Sequence, residues 1–520
     1  MATLEKIVQK LPFNKIAGQT LMGYAEDVKS FEELKKIVLE NALAGLIIGR
    51  SVLSSLKPNR GDLKELVDSY KKAFGFSPIL AAEHEGGRLE GLPPPATELP
   101  SPMGVGATGD AKSAYIVGYI TALELRTLNI NTNLAPVANL YPYGCEPGLE
   151  ENSFGEDPDE VSDYVLSYIR GLRNGGVLSF TKYFPRRFYG QRDEALESLS
   201  KLYKKEFKPF QMAFKSGVEG IVIGHAPLPA VDSVNTPSSF SPKVVEKIVK
   251  REMGFKNILL TDNSDDKEIL DKFDPEEAAI KSLEAGNHLV VPSKRIEDLH
   301  ETLNSIIEKT GKNKDLYNRI KSSALEVLSF KLRKLEKFKK TPEKTRGSLV
   351  NQAKAWKIFI KSITIVKGVE ELPLRWVGKP MVVVTNGFNE LLEEADRKRL
   401  RDVLKEVLKE FSLLEYLEET PSKKLSEIYR NTPGNTLLII LAYNVWGSRK
   451  EASVLEKLIE FFRESVAISL GSPRDLTLLS DAKMCVAALT PSVTAVKASL
   501  KVLMDKSKAS GRLPVKIELG

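Results

Sequence analysis

The sequence predicts an α/β protein: a (β/α)8 barrel of the TIM type, followed by a smaller α/β domain whose sheet is mainly parallel. Three observations carry that expectation. Short apolar runs alternate with helix-patterned segments about eight times over roughly the first 300 residues, the count and length that such a barrel requires. Ionisable residues follow directly after several of those runs, where barrel strands present their chemistry. A second, shorter series of apolar runs begins near Lys361, beyond a long helical stretch at 314–358.

Taken in order, a weak first strand is expected near 16–22. The helix pattern of 31–41 then leads into the run AGLIIG at 44–49. SPILAA at 77–82 ends in Glu83-His84-Glu85-Gly86-Gly87-Arg88, where the paired glycines read as a sharp turn. A helix over 111–128 precedes INTNLAPV at 130–137. Asp157 followed by Pro158 reads as an N-cap with proline at the first helical position, opening a helix over 157–173 ahead of VLSFTKYF at 177–184. GIVIGH at 220–225, ILLTDN at 258–263 and HLVVP at 288–292 complete the series. These runs are short, apolar and bounded by polar residues, as befits strands buried on both faces. The expected organisation is a barrel domain over 1–330, a helical linker over 331–360 and a second domain over 361–520. In the last, runs at 362–366, 380–385, 436–442, 466–470 and 485–489 are separated by charged helix patterns such as 393–410. That domain holds no histidine, and its ionisable residues do not gather at strand ends. A role in shaping the first domain's site or in forming a homodimer is expected of it.

The candidate site lies at the strand ends of the first domain. Glu83, His84 and Glu85, then Lys182, His225 and Asp262 each follow an apolar run. Barrel strands converge at their C-terminal ends, so groups remote in sequence would meet there in one cleft. Asp262 alone also fits a plainer role, capping the next turn or helix.

Composition narrows the classes. Of 520 residues, 42% are hydrophobic and 28% charged, the profile of a soluble globular chain. No window reaches the length of a membrane span, and the first residues carry no apolar stretch of a secretory leader, so no membrane partner is expected. Cys145 and Cys485 stand alone, without disulfide or metal spacing, which fits a cytoplasmic location. His225 and His288 lack the spaced partners that zinc requires, so neither metal nor cofactor is expected. The net charge of +7 is concentrated in residues 331–346, which hold eight Lys or Arg and two Glu. Without interleaved aromatics this run reads as a solvated helix face, and no nucleic acid is expected. GVGATG at 104–109 fits the spacing of a dinucleotide fingerprint. The proline-rich stretch at 93–100 cannot supply the preceding strand, so that reading is rejected.

Several stretches in order resemble glycoside hydrolase family 3, especially its β-N-acetylglucosaminidase branch. They are AEHEGGRLEGL (82–92), NTNLAPVANL (131–140), ENSFGEDP (151–158), TKYFP (181–185), IVIGHAPLPAVD (221–232) and the run 237–263 ending ILLTDN. SLGSPRDL (469–476) and GRLPVKI (511–517) are similar to the C-terminal α/β sandwich of that family. The resemblance implies a retaining glycosidase for β-linked saccharides, among them N-acetylhexosamine-containing ones, with Asp262 as nucleophile. It implies sugar-binding roles at Glu83, Asn152, Lys182, Tyr183 and His225. Departures from the family pattern fall in the same places. Glu83 stands for an Asp, Gly91 and Asn152 for Arg, Tyr183 for His, and Arg186-Arg187 for Gly-His. The acid/base histidine of that branch aligns with Ala195, which cannot transfer a proton; Asp193 and Glu194 are the nearest carboxylates. Two readings follow: an enzyme whose acid is one of those loop carboxylates, or a catalytically inactive member serving as a carbohydrate-binding or assembly scaffold.

Overall fold

The computed structural model describes residues 11–26, 30–55, 61–88, 91–141, 149–186, 198–265, 267–415, 422–505 and 509–519, together with Leu4 and Val28. Eight strands pair in sequence order, all parallel: β1 (Met22–Ala25), β2 (Gly45–Ile48), β3 (Ile79–Ala82), β4 (Thr132–Asn133), β5 (Leu178–Phe184), β6 (Gly220–Ile223), β7 (Ile258–Asn263) and β8 (Leu289–Val291). A parallel bridge between Leu21 and Val290 joins the first strand's approach to the last strand. Helices alternate with the strands, their ends written in the chain. The helix Pro158–Gly175 is capped by Asp157, whose side chain accepts from the N–H groups of Asp159 and Glu160. It stops at Gly176, whose φ of 84° suits glycine.

Period-two alternation decides which strand residues fill the barrel. Met22 and Tyr24, Ile79 and Ala81, Phe180, Val222, Ile258 and Leu260, and Leu289 and Val291 pack into one interior cluster. Their immediate neighbours, such as Leu80, Ala82, Ile221, Ile223 and Leu259, join the outer core beneath the helices. The helix Lys314–Lys334 adds Val327 and Phe330 to the interior cluster. The Phe330 ring stands edge-on to Phe180 with centroids 6.0 Å apart.

A second, six-stranded sheet is built from β9 (Thr364–Lys367), β10 (Met381–Val384), β11 (Ser412–Leu414), β12 (Leu438–Ala442), β13 (Ser465–Ser469) and β14 (Met484–Ala487). Its order is β11-β10-β12-β13-β14-β9. All pairs are parallel except β14 with β9, which forms an antiparallel edge. Apolar clusters cover both faces, one against the helices Leu349–Ser362, Glu394–Leu408 and Val493–Met504, the other against Arg449–Phe461. This is an α/β sandwich.

Three sequence expectations are corrected. Residues 16–22 are not a strand: a helix, Phe13–Gly18, buries Ile16 and Ala17, and β1 starts at Met22. Phe13, Ile16 and Ala17 recur at helical spacing, which outweighs the apolar content of the segment. The basic run over 331–346 is not solvated throughout. Lys331 is fully buried and donates to the Gln19 side chain at 2.9 Å, the Ala44 carbonyl at 2.8 Å and the Tyr70 hydroxyl at 3.2 Å. Its nitrogen also lies 4.8 and 4.7 Å from the ring centroids of Tyr70 and Phe76. Burial pushes the amine well below its ordinary value. Strand β11 escaped the sequence reading because it is three residues long and only Leu414 is buried.

The two glycine motifs are packing devices. Gly86 and Gly87 adopt φ of 94° and 61°, and a Cβ at Gly86 would stand 2.3 Å from the Pro100 carbonyl oxygen. The 104–109 glycines lie on and just beyond a short helix, Pro102–Ala107, pressed against the second domain. A Cβ at Gly106 would meet the Phe154 carbonyl oxygen at 1.9 Å, and one at Gly104 the Thr490 hydroxyl at 2.7 Å.

Candidate active site

The same alternation that fills the barrel selects the residues of its C-terminal mouth. Phe180 faces inward on β5, so Lys182 does too. Ile258 and Leu260 face inward on β7, so Asp262 does. Tyr24 continues the parity of Met22, and Glu83 and Glu85 continue that of Ile79 and Ala81. The cleft that results is narrow and is lined from all eight strands or the residues that follow them: Tyr24, Ile47, Glu83, Leu134, Lys182, Tyr183, Val222, Thr261, Asp262, Asn263 and Val291.

At its base the Lys182 ammonium bridges two carboxylates, 2.7 Å from Glu83 Oε1 and 2.6 Å from Glu85 Oε1. Lys182 and Glu85 are each 1% exposed, whereas the Glu83 side chain is 29% exposed. Burial works against the charged amine, but the two carboxylates overcome it and hold the Lys182 pKa well above its usual value. Tyr24 donates to Glu83 Oε2 at 3.1 Å. Burial, reinforced by the Glu83 charge, pushes its phenol far above the ordinary range. Glu83 is therefore gripped at both oxygens while its side chain still reaches the cleft. The Lys182 nitrogen also lies 5.0 Å from the centroid of the Tyr183 ring. Asn139 holds the end of β5: its Oδ1 accepts from the Tyr183 N–H at 2.9 Å, and its amide donates to the carbonyls of Tyr183 and Pro185.

Asp262 lies at the end of β7, 8% exposed, and its Oδ1 accepts from the backbone N–H of Asn263 at 2.9 Å and from the Asn263 amide at 3.3 Å. A carboxylate so placed, with an ordered carboxylate–lysine pair and apolar walls beside it, can act as a nucleophile or stabilise positive charge developing in a substrate.

Of the sequence candidates, Glu83, Lys182, Tyr183 and Asp262 meet in this cleft. His225 and Asn152 are not among its lining residues. His225 shares the outward parity of Ile221 and Ile223 and is fully buried. Asn152 ends a buried turn, Glu150–Asn152, whose neighbours face the second domain: Glu150 pairs with Arg474 at 3.0 Å and Glu151 accepts from the Tyr443 hydroxyl at 3.0 Å. His84, between the two glutamates, points away from the cleft. Its Nδ1 accepts from the Leu92 N–H at 3.3 Å, and burial lowers its pKa to about 3. Asp193 and Glu194, the candidate acids, lie outside the described residues. Tyr24 was missed because β1 was placed too early in the chain. Glu85, legible as a strand-end carboxylate, gains its place beside the cleft through Lys182. Among the described residues, no three His, Cys, Asp or Glu side chains are grouped to hold a metal ion, and no helix is long and apolar enough to cross a membrane.

Fold and cleft together define a (β/α)8-barrel protein with a carboxylate-centred site at the mouth and an α/β sandwich packed beside it. Residues 5–329 match the glycosyl hydrolase family 3 N-terminal domain, and the chain belongs to that family. A beta-hexosaminidase from Neisseria meningitidis serogroup C is 29% identical over 294 residues, covering 53% of this chain and 80% of its own. A glycoside hydrolase family 3 beta-N-acetylglucosaminidase structure from Paenibacillus sp. str. FPU-7 superposes with a TM-score of 0.82 at 23% identity, covering 98% of this chain and 100% of that one. A beta-glucosidase from Listeria innocua in complex with glucose gives 0.75 at 17% identity, covering 99% and 76%. These structural likenesses run through both domains, so the barrel-plus-sandwich fold is shared.

Proposed function

We propose that this chain is a glycosidase for β-linked saccharides, N-acetylhexosamine-containing ones among them, working through a glycosyl-enzyme intermediate on Asp262. The observation that carries this reading is the position of Asp262: inward-facing at the end of β7, in one cleft with Glu83, Lys182 and Tyr183. Family membership and the beta-hexosaminidase relatives support the reaction class. In the first step an Asp262 oxygen attacks the anomeric carbon as the glycosidic bond breaks, and an acid protonates the departing oxygen. In the second, water displaces Asp262, giving up its proton to the same acid group, and the configuration is retained. Asp193 or Glu194 supplies that acid. Glu83 accepts hydroxyl hydrogen bonds from the sugar, with Lys182 beneath it holding it in place. Asn152 and His225 act from outside the cleft. In this reading the barrel spans residues 1–330, residues 331–360 link it to the second domain, and residues 361–520 shape the site or pair two copies, in a cytoplasmic protein.

A second reading, a carbohydrate-binding or assembly scaffold without turnover, is favoured by one observation: Ala195 stands where the resemblance calls for the acid/base histidine. Kinetics on aryl glycosides separate the two. The enzyme reading expects hydrolysis of nitrophenyl glycosides, loss of turnover in Asp262→Asn with the fold intact, and labelling of Asp262 by a 2-fluoro glycoside. Glu194→Gln or Asp193→Asn should slow unactivated linkages by about 10²–10⁴ while hurting the glycosylation step of nitrophenyl substrates much less, and azide, which attacks the glycosyl-enzyme without a base, should restore their turnover. No cleavage of any glycoside, alongside sugar-induced thermal protection, would establish the scaffold instead.

A further inference from the structure

We infer that His225 is a positioning residue for Asp262, acting through Asn263, and that it does not touch the sugar. The inference rests on Asp262 being the nucleophile. His225 is fully buried, and each ring nitrogen has one partner: Nδ1 lies 2.7 Å from the Ser239 hydroxyl, and Nε2 lies 2.9 Å from the Asn263 carbonyl oxygen. A carbonyl can only accept, so Nε2 carries the hydrogen. In the neutral ring Nδ1 is then an acceptor, and the Ser239 hydroxyl donates to it. The partners therefore select the tautomer.

Asn263 is the pivot. Its carbonyl is held by His225, its side-chain oxygen accepts from the Asp265 N–H at 3.3 Å, and both its backbone N–H and its amide converge on Asp262 Oδ1. Two donors on a single oxygen restrict the rotation of the carboxylate; the carbonyl held by His225 lies in the next peptide, so His225 acts by fixing the Asn263 backbone from which both donors project. His225 is itself anchored from the far side. Its carbonyl accepts from the Ser238 N–H at 3.2 Å, the Ser238 hydroxyl donates to the Ala226 carbonyl at 2.6 Å, and Asn287 donates to the Ser239 carbonyl at 2.8 Å. A chain of buried and half-buried contacts thus runs from the loop after β6 to Asp262 on β7. A shift of about 1 Å in a reacting group costs on the order of 10²-fold in rate, so releasing the peptide should register in the chemical step.

The test is the rate at which a 2-fluoro glycoside of a sugar the wild type cleaves labels Asp262, followed by mass spectrometry. Alongside it, kcat and KM are measured on the matching nitrophenyl glycoside, normalised to the fraction of protein that can be labelled. His225→Ala should slow labelling and lower kcat by about 10- to 100-fold with KM within about twofold. His225→Gln, whose amide can still donate to the Asn263 carbonyl, should recover much of the loss. It also serves where the alanine variant does not fold. Ser239→Ala should show a smaller fall. Labelling of His225→Ala and His225→Gln at the wild-type rate overturns the positioning role alone. A raised KM with unchanged kcat overturns it in favour of sugar contact. A wild type that is labelled at another carboxylate, or not at all, removes the nucleophile reading and this inference with it.

Discussion

Replacing Lys182 by methionine leaves Glu85 buried at 1% exposure without the cation 2.6 Å from it. The Coulomb attraction at that distance is about 6 kcal/mol with an effective dielectric constant near 20. Part of it offsets the cost of burying the ammonium, and breaking a buried pair from one side costs about 3–5 kcal/mol in practice. Glu83 adds little to the penalty, because its side chain is 29% exposed and can turn toward water. At roughly 2 °C per kcal/mol for a large domain, the barrel's melting transition should fall by about 6–10 °C. In the variant Glu85 keeps its burial but loses that cation, which disfavours its charged form. The deficit should therefore be largest at neutral pH and shrink as pH falls and the group protonates. Adding Glu85→Gln removes the buried charge that has lost this cation, so the double variant should melt above the single one. Differential scanning calorimetry of the wild type and the two variants at pH 7 and pH 4.5 reads all of this. A Lys182→Met protein within about 1 °C of wild type, or a double variant less stable than the single, would refute the view that the pair is a buried, mutually dependent unit.

Asp475, fully buried with one oxygen accepting from the Trp446 N–H at 3.2 Å, is pushed by burial up to about 7 against the opposing backbone donors. That lies above its unfolded value, so its favourable contribution is complete below about pH 4 and is lost as pH rises to about 7, a span of roughly 4 kcal/mol. Asp475→Asn should gain on wild type progressively over that range in denaturant titrations, and a flat difference would sink the prediction. Gly106→Ala brings a methyl to 1.9 Å from the Phe154 carbonyl oxygen and should cost about 1–3 kcal/mol. Gly311→Ala, with nothing within 4 Å in its helix, should stabilise by about 0.5–1 kcal/mol, and equal melting shifts for the two would refute the close-packing account.

The barrel was legible because its signals are local. Asp157-Pro158 announces a helix start through a hydrogen bond three residues long, and the burial of ILLTDN over 258–263 is written in its apolar content. Period-two alternation also places Asp262 and Lys182 inside the mouth once Leu260 and Phe180 are taken as interior. The same rule, applied to GIVIGH at 220–225, would have set His225 behind the cleft; strand-end position alone was too coarse for it.

What the sequence by itself determined, then, is most of the succession of elements and the strand-end residues from which the mouth draws Glu83, Lys182 and Asp262. Each of these depends on neighbours a few residues away. Only the tertiary structure decided who meets whom. Lys331 reads like the exposed lysines around it, yet Gln19, Ala44 and Tyr70 close over it. Lys182 is bound to glutamates nearly a hundred residues upstream. His225 meets the carbonyl of Asn263 on the next strand, whose N–H meets Asp262. A side chain's dielectric surroundings and hydrogen-bond partners are set by chain segments that its own sequence neighbourhood does not contain. The pattern of residues can therefore nominate a site, while the charge state and role of each member follow from the packing.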